Sequence, residues 1–342
     1  MVPSGFVCPF TGWGIAPMGG SRHAWGRYVV FLLSVSHISS PNPPDPSTST
    51  PKPIERVAIL GGGLMGSGIA ESVARAGLAV SVRDIDDAAL GAVSERLERS
   101  LASAVKGGKI EQDEAEEIRG RVALSTELAE LAEADLVIEA VPENADLKVA
   151  ILSQVAGFVS EDALIASNTS SIPIAQLAAG IPKPERVLGL HFFSPVPVMP
   201  LVEIVVALDT SERTVASANR FAERIGKTPI ETKDRSGFIV NMLLVPYLMA
   251  AVRMYEEGFA TAEAIDEGMK LGCGHPMGPL TLADFIGLDV LYSVCDSLYE
   301  EFKRSEYAPP PLLKRMVASG RIGRKAGRGF YEYERSRAKA AA

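Results

Sequence analysis

Histidine is scarce in this sequence, and one of the histidines has a carboxylate close by on a neighbouring predicted strand. The histidines are His23, His37, His191 and His275. His191 ends the apolar strand VLGLH, and Glu203 lies in the returning strand LVEIVVA, after a proline-rich turn. A carboxylate among apolar neighbours is costly to bury without a partner, and a protonated imidazole is a suitable partner. The pair predicts an acid/base group for proton transfer, whereas a surface-facing Glu203 on an edge strand beside a core histidine is the structural alternative.

A glycine-rich segment points to a bound dinucleotide. GGGLMGSG, residues 61–68, follows the strand RVAIL and opens an apolar-faced helix, with G-x-G-x-x-G at Gly61, Gly63 and Gly66. Asp84 closes the next strand, where a carboxylate accepts hydrogen bonds from the adenosine ribose. The same carboxylate would repel the 2′-phosphate of NADP, although Arg83 stands beside it. The segment therefore predicts NAD, with a merely structural glycine turn as the alternative.

Two polar segments end neighbouring predicted strands. SNTSS, residues 167–171, follows the strand ALIA, and EAVPEN, residues 139–144, ends the strand before it. Ligands of open α/β sheets bind at the carboxyl ends of the strands. We therefore expect the SNTSS hydroxyls at the ligand and Glu143 near the nicotinamide end of a dinucleotide. The structural alternatives are a helix N-cap for SNTSS and an acidic first-turn residue for Glu143.

Strands that alternate with helices must position these groups. From residue 54 the pattern runs strand, glycine turn, helix, strand, then a long polar helical stretch over residues 86–119, then two more strands separated by a helix near residues 146–158. Such alternation predicts an α/β fold with a doubly wound parallel sheet. We therefore expect a Rossmann-type NAD-binding domain over residues 54–233.

After Asp234 no strand pattern remains. GFIVNMLLVPYLMAAVRMYEEG, TAEAIDEGMKLG and LTLADFIGLDVLYSVCDSLYEEF each predict a helix. They indicate an all-helical C-terminal domain over residues 234–335, followed by a short tail over residues 336–342. This domain has more apolar residues than a bundle of its size ordinarily hides, so a homodimer through it is expected.

Composition excludes several classes of protein. The chain has 342 residues, 47% of them apolar and 22% charged, which excludes disordered, collagen-like and disulfide-scaffold proteins. A net charge of −8 argues against nucleic-acid binding. A basic cluster fits a solvated or phosphate-facing turn better; it comprises Arg321, Arg324, Lys325 and Arg328. The three cysteines lie far apart and predict neither a disulfide nor a metal site. No apolar run reaches the roughly 18 residues that cross a bilayer, so no membrane partner is expected.

The N-terminal region differs from the rest. Residues 40–53, SPNPPDPSTSTPKP, have the composition of an extended linker, so residues 1–53 are predicted to be a disordered, non-structural extension. An apolar run, residues 28–35, could belong to a signal peptide, a transit segment or upstream codons. The run lies deep for a signal peptide and no A-x-A site follows it. We expect a cytoplasmic protein, or a mitochondrial matrix protein if the extension is a transit segment.

Several segments together resemble one known family. These are GGGLMGSGIA, EAVPEN, SNTSS, HFFSPVPVMPLVEIV, GFIVNMLLVPY, MKLGCGHPMGPLTLADFIGLD and GRKAGRGFY. Their order and spacing are similar to those of the short-chain L-3-hydroxyacyl-CoA dehydrogenases, close to the bacterial 3-hydroxybutyryl-CoA dehydrogenases. The resemblance covers about residues 55–333. It implies NAD-dependent reversible oxidation of an L-3-hydroxyacyl-CoA, such as 3-hydroxybutyryl-CoA, in fatty acid or butanoate metabolism.

The resemblance also implies roles for individual residues. His191 resembles the catalytic acid/base, Glu203 its orienting partner, and Ser170 and Asn241 the residues that hold the substrate oxygen. The implied cofactor contacts are Gly61, Gly63, Leu64, Met65, Gly66, Asp84, Glu143, Lys148, Ser170, Ser194 and Lys325. The implied CoA contacts lie on the helix over residues 94–109; they are Ser100, Lys106 and Lys109. His275, which precedes a proline, looks structural.

Two positions depart from the family pattern. Ser194 replaces the usual asparagine of HFFNPV, which trades an amide for a shorter hydroxyl. Met242 stands where arginine is common. Two other functions stay open: a sugar-acid dehydrogenase of the lambda-crystallin type, whose motifs are similar, and a non-catalytic NAD-binding protein.

Overall fold

The structure is a computed structural model, and it describes residues 53–333. Residues 1–52, which include the third cysteine, Cys8, and two of the histidines, His23 and His37, lie outside the described residues, as does the C-terminal tail, so the predictions for these parts stay predictions. Both described cysteines are free thiols, with Cys273 exposed and Cys295 buried.

One eight-stranded sheet forms the first part of the described chain. Its order is β3-β2-β1-β4-β5-β6-β7-β8. Neighbours are parallel except β6 and β7, which are antiparallel, so β7 and β8 run opposite to the other six strands. The strands are β1 Arg56–Leu60, β2 Ala79–Arg83, β3 Val122–Ser125, β4 Leu136–Glu139, β5 Leu164–Ser167, β6 Val187–Phe192, β7 Leu201–Val206 and β8 Thr228–Lys233.

Helices cover both faces of this sheet. They are α1 Leu64–Arg75, α2 Asp87–Lys106, α3 Gln112–Gly120, α4 Ala145–Ala156, α5 Ile174–Ala178 and α6 Glu212–Arg224. One apolar core packs α1, α2, α3 and α6 on one face, and a second packs α4 and α5 on the other. The central strands are buried on both sides, which is why they read as continuous apolar runs rather than alternating ones.

Five helices form the second part of the described chain around a third apolar core. They are α7 Val240–Glu256, α8 Ala262–Cys273, α9 Pro279–Ile286, α10 Leu288–Phe302 and α11 Pro311–Ala318. Two buried carboxylates fix the final segment to them. Asp284 accepts the N–H groups of Phe330 and Tyr331, and Asp266 accepts the hydroxyl of Tyr331. None of the described helices is long and apolar enough to span a membrane.

The predicted fold class, a doubly wound Rossmann-type sheet followed by helices, is confirmed. Three local features differ from the predictions or were not predicted. The polar stretch over residues 86–119 is two helices, because Gly107 and Gly108, the latter with a φ of +64°, end α2. The predicted helix LTLADFIGLDVLYSVCDSLYEEF divides into α9 and α10 at Gly287, whose φ is +103°. The edge strand β3 was not predicted. The domain boundaries at residues 233 and 335 stay predictions.

Candidate active site

His191 and Glu203 stand directly opposite each other on β6 and β7. Nδ1 of His191 lies 2.6 Å from Oε2 of Glu203. His191 is 6% exposed and Glu203 is 0% exposed. The alternative of a surface-facing Glu203 on an edge strand is wrong, because β7 lies between β6 and β8. Since Nδ1 is committed to the carboxylate, Nε2 is the imidazole nitrogen left to exchange a proton, and it has no hydrogen-bond partner within residues 53–333.

The other oxygen of Glu203 connects the sheet to the helical part. Oε1 accepts the backbone N–H groups of Ile239 and Val240 at 3.0 and 2.9 Å, at the start of α7. An ionised carboxylate is favoured at a helix N-terminus, where several amides lack partners. Phe238, just before these amides, places its ring centroid 5.4 Å from that of His191. One buried carboxylate thus holds both the imidazole and the helix that carries Asn241.

Ser170 and Asn241 offer side chains for a substrate oxygen. Ser170 follows β5, the neighbour of β6, and Asn241 follows Val240 in the first turn of α7. Within the described part of the chain, neither the Ser170 hydroxyl nor the Asn241 amide has a hydrogen-bond partner. The two strand ends are joined by Asn168, whose Oδ1 accepts the N–H of Phe192 at 2.9 Å. The predicted oxygen-binding groups therefore come from elements that border His191.

A buried ion pair lies beneath the SNTSS segment. Lys148 is 1% exposed, and its Nζ lies 2.7 Å from Oε1 of Glu139, which is fully buried. Ser167 donates to the other oxygen of Glu139 at 2.5 Å. The ammonium also lies 3.2 Å from Oε2 of Glu143. Lys148 was expected to contact a cofactor, whereas here it joins two carboxylates below the ligand-facing surface.

Glu143 in turn holds the SNTSS backbone. Its Oε1 accepts the hydroxyl of Thr169 at 2.5 Å and the N–H of Ser170 at 3.0 Å. Partial desolvation acts to raise the pKa of Glu143, but the Lys148 ammonium and the hydrogen bonds from Thr169 and Ser170 outweigh it and lower this pKa below its ordinary value. Glu143 therefore keeps its negative charge while it fixes the loop that carries Ser170.

The glycine-rich turn has the shape of a dinucleotide cradle. Gly61 has a φ of +91°, and a Cβ there would lie 2.8 Å from the carbonyl oxygen of Ala140. A Cβ at Gly66 would collide with the Gly61 carbonyl, whereas one at Gly63 would meet no atom within 4 Å. No side chain caps the N-terminus of α1. Its free amides and the open space at Gly63 fit a pyrophosphate.

Charges around the cradle match the expected preference for NAD. Asp84 accepts the N–H of Gly62 at 2.7 Å, which places its carboxylate at the rim of the cradle. Arg83 donates its Nε to the carbonyl of Thr126 at 3.0 Å. Its guanidinium is thus engaged on the neighbouring strand end. Leu64, 69% exposed, and Met65 open α1 beside the cradle.

The other predicted contacts form no hydrogen bond or ion pair with the His191 cluster within the described residues. Lys325 pairs with Asp289 at 2.7 Å, at the junction of α9 and α10. Ser194 is exposed in the turn between β6 and β7. Ser100 and Lys106 are on α2 and Lys109 follows it, and among residues 53–333 neither lysine forms an ion pair. In the helical part, Nδ1 of His275 and the hydroxyl of Tyr247 form a hydrogen bond of 3.1 Å.

Two residues of this cluster were missed in the sequence. Glu139 is an isolated acid in the apolar strand LVIE, and the burial argument that singled out Glu203 applies to it equally. Phe238 has no comparable signal, since its place depends on a backbone conformation that the sequence does not show. Among the described residues, no three His, Cys, Asp or Glu side chains converge to hold a metal ion.

Two stretches of the chain match models of known families. Residues 56–235 match the family described as 3-hydroxyacyl-CoA dehydrogenase, NAD binding domain. Residues 237–333 match 3-hydroxyacyl-CoA dehydrogenase, C-terminal domain.

Individual proteins are similar over the same region. The chain is 50% identical over 282 residues to the 3-hydroxybutyryl-CoA dehydrogenase of Mycobacterium tuberculosis, which covers 82% of this chain and 99% of that protein. The crystal structure of Mycobacterium tuberculosis FadB2 matches with a TM-score of 0.81 and 49% identity, over 82% of this chain and 100% of that one. The (S)-3-hydroxybutyryl-CoA dehydrogenase of Ralstonia eutropha matches with a TM-score of 0.78 and 46% identity, with the same coverage.

Proposed function

The chain belongs to the 3-hydroxyacyl-CoA dehydrogenase family, and on that premise we propose that it catalyses the reversible NAD-dependent oxidation of L-3-hydroxyacyl-CoA to 3-ketoacyl-CoA. The names of its relatives favour 3-hydroxybutyryl-CoA as substrate. The observation that carries the proposal is the buried His191 and Glu203 pair on β6 and β7, with 2.6 Å between Nδ1 and Oε2, in the same sheet whose strand β1 leads into the dinucleotide cradle.

In the proposed reaction His191 moves the proton. Its Nε2 takes the proton of the substrate hydroxyl, and Glu203 stabilises the imidazolium that forms. Ser170 and Asn241 hydrogen-bond the substrate oxygen and so orient the carbinol carbon. Bound NAD⁺ would supply the acceptor for the hydride that leaves this carbon. In the reverse direction the imidazolium of His191 returns the proton to the substrate oxygen as the carbonyl carbon gains hydride.

The cofactor contacts follow from the cradle. Gly61, Gly63 and Gly66 would admit the pyrophosphate at the start of α1, where Leu64 and Met65 supply backbone amides. Asp84 would bind the adenosine ribose. Glu143 and Ser194 are proposed at the nicotinamide end, with Lys325 as a further contact. For Lys148 the burial of its ammonium supports an indirect role, which is to hold Glu143.

The proposals for CoA and for assembly rest on exposed groups. Lys106 and Lys109 are exposed and form no ion pair within residues 53–333, so their positive charge suits CoA phosphates, and Ser100, half-buried on α2, adds a hydroxyl. In the helical part, Leu243 and Phe259 are 73% and 78% exposed, which supports a homodimer through that part. Residues 54–233 would then bind NAD and residues 234–335 would bind substrate and the second copy. We also propose a cytoplasmic location.

Initial rates of NADH consumption test this function. The protein should reduce acetoacetyl-CoA, and the eight- and sixteen-carbon 3-ketoacyl-CoA esters measure its preference for chain length. NADH should support turnover better than NADPH. In the oxidation direction, L-3-hydroxybutyryl-CoA is compared with free hydroxy acids. A preference for the free acids would indicate a sugar-acid dehydrogenase, and no turnover of any of these compounds would leave a non-catalytic NAD-binding protein.

A further inference from the structure

The segment that joins β8 to α7 contains a strained residue beside the candidate acid/base. Phe238 has a φ of +48°, in the left-handed region that bulky residues rarely adopt. Its side chain is 4% exposed and packs with the core beneath α4 and α5. A strained residue persists only where its surroundings hold it, and such residues concentrate at functional sites. Interactions around Phe238 must therefore provide a reason for its positive φ.

The two residues after Phe238 provide one. The N–H groups of Ile239 and Val240 both point at Oε1 of Glu203, at 3.0 and 2.9 Å. Ile239 is right-handed, with φ −89° and ψ −53°, so a left-handed residue directly precedes a right-handed one. Successive N–H groups in such a pair form a concavity that binds anions, called a nest. Within the described chain, Glu203 has these two amides and His191 as its only hydrogen-bond partners.

We propose that Phe238 is a positioning residue: its left-handed backbone directs the two amides at Glu203, and the carboxylate fixed in this way holds His191 in its working orientation. The role rests on the proposed function, since it concerns the proton transfer at His191. The ring of Phe238 makes a separate contribution. Together with Phe193, at a centroid distance of 4.6 Å, it flanks the imidazole and limits its rotation.

Substitutions at position 238 separate the backbone from the ring. Phe238→Gly removes the ring but takes a positive φ at no steric cost. Phe238→Ala and Phe238→Val also remove the ring, and their Cβ atoms disfavour the left-handed conformation, most strongly when β-branched. If Phe238 acted by packing alone, kcat would follow side-chain volume, with Val above Ala and Ala above Gly. The proposal predicts the opposite order.

Steady-state reduction of acetoacetyl-CoA by NADH measures that order. We expect kcat of Phe238→Val to lie at least roughly tenfold below that of Phe238→Gly, with Phe238→Ala between them. KM for NADH should change by less than about threefold in all three variants, because ground-state binding of the cofactor is not involved. Equal kcat values, or values ordered by volume, would overturn the proposal. A wild-type protein that reduces no 3-ketoacyl-CoA would overturn the proposed function instead.

A second readout does not depend on turnover. A proton shared between Nδ1 of His191 and a carboxylate 2.6 Å away gives a far-downfield NMR signal in water. Wild type and Phe238→Gly should show it, and Phe238→Val should lose it; a signal that Phe238→Val retains would contradict the proposal.

Lys303, with a φ of +51° at the end of α10, is the matched control, because Lys303→Gly and Lys303→Val alter the same kind of backbone away from the site and should keep wild-type kcat. If Phe238→Val does not fold, the comparison of Gly with Ala decides.

Discussion

Val240 donates its backbone N–H to Glu203 at 2.9 Å, so the carboxylate that holds the candidate acid/base is also bonded to the helix that carries Asn241. The bond joins two parts of the chain that are far apart in sequence. Because the same carboxylate contacts His191, a shift of α7 relative to the sheet would move Asn241 and disturb the imidazole together. The geometry therefore couples the position of Asn241, which we propose orients the substrate, to that of the imidazole, which we propose transfers the proton.

The cofactor preference should depend on the charge of Asp84. Asp84→Asn keeps an oxygen that can accept the N–H of Gly62 but removes the negative charge at the cradle rim. We expect the ratio of kcat/KM for NADH to kcat/KM for NADPH to fall by roughly tenfold, the value of one charge-assisted hydrogen bond. Asp87→Asn, an exposed neighbour on α2, should leave the ratio unchanged. An unaltered ratio in Asp84→Asn would show that other groups select the cofactor.

The buried Lys148 should be important for stability. Lys148→Met leaves Glu139 buried without its counter-ion, and breaking a buried pair from one side typically costs about 3–5 kcal/mol. Urea unfolding followed by circular dichroism measures the loss. The matched control is Lys270→Met, which removes an exposed pair with Glu267 and should cost less than about 1 kcal/mol. Similar losses of unfolding free energy in the two variants would mean that the buried pair contributes no more to stability than the exposed pair.

Acid should weaken the fold partly through Glu143. Burial acts to raise the pKa of Glu143 in the folded protein, but the Lys148 ammonium and the hydrogen bonds from Thr169 and Ser170 outweigh it. The pKa therefore lies below its ordinary value, and the ionised form favours folding. This contribution is complete above the ordinary carboxyl value of 4.5 and is lost as the pH falls through the lowered pKa. Between neutral pH and the acid range, Glu143→Gln should therefore lose less unfolding free energy than wild type. Glu114→Gln, with an exposed carboxyl on α3, should follow wild type; equal losses in all three proteins would argue against a role for Glu143.

The helical part should bring two copies together. Light scattering at micromolar concentration should give twice the chain mass of 36.3 kDa. Leu243→Glu with Phe259→Glu places charge on the exposed apolar residues of α7 and the turn after it, and should produce monomers. Leu208→Glu, at a residue 91% exposed beyond β7, should remain dimeric. A monomeric mass for the wild-type protein would contradict the proposed dimer.

Much of the fold could be predicted because its causes are local in sequence. The run RVAIL followed by glycines and an apolar-faced helix specifies a βαβ unit, and the structure has one at β1, α1 and β2. The opposed placement of His191 and Glu203 also followed from a strand, turn and strand path. The predicted helix boundaries were wrong where a single glycine ends a helix, as at Gly108 and Gly287. The sequence alone does not show whether a glycine continues a helix or ends it.

The support of the site was harder to predict than its chemical groups. Lys148 reaches Glu139 across one helical turn and a strand end, a contact that depends on how α4 packs on the sheet. The nest at Phe238 depends on backbone angles in a segment with no regular pattern. Such features arise from tertiary packing, which patterns of residue types do not encode individually.

We propose that His191 transfers the proton in a 3-hydroxyacyl-CoA dehydrogenase reaction. The most direct measurement compares wild type with His191→Ala in the reduction of acetoacetyl-CoA by NADH, with the amount of bound NADH measured by its fluorescence in both proteins. We predict that kcat falls by about 10²–10⁴-fold while NADH binding is kept, as for the loss of a general acid. A His191→Ala protein that retains most of the wild-type kcat would mean that another group transfers the proton.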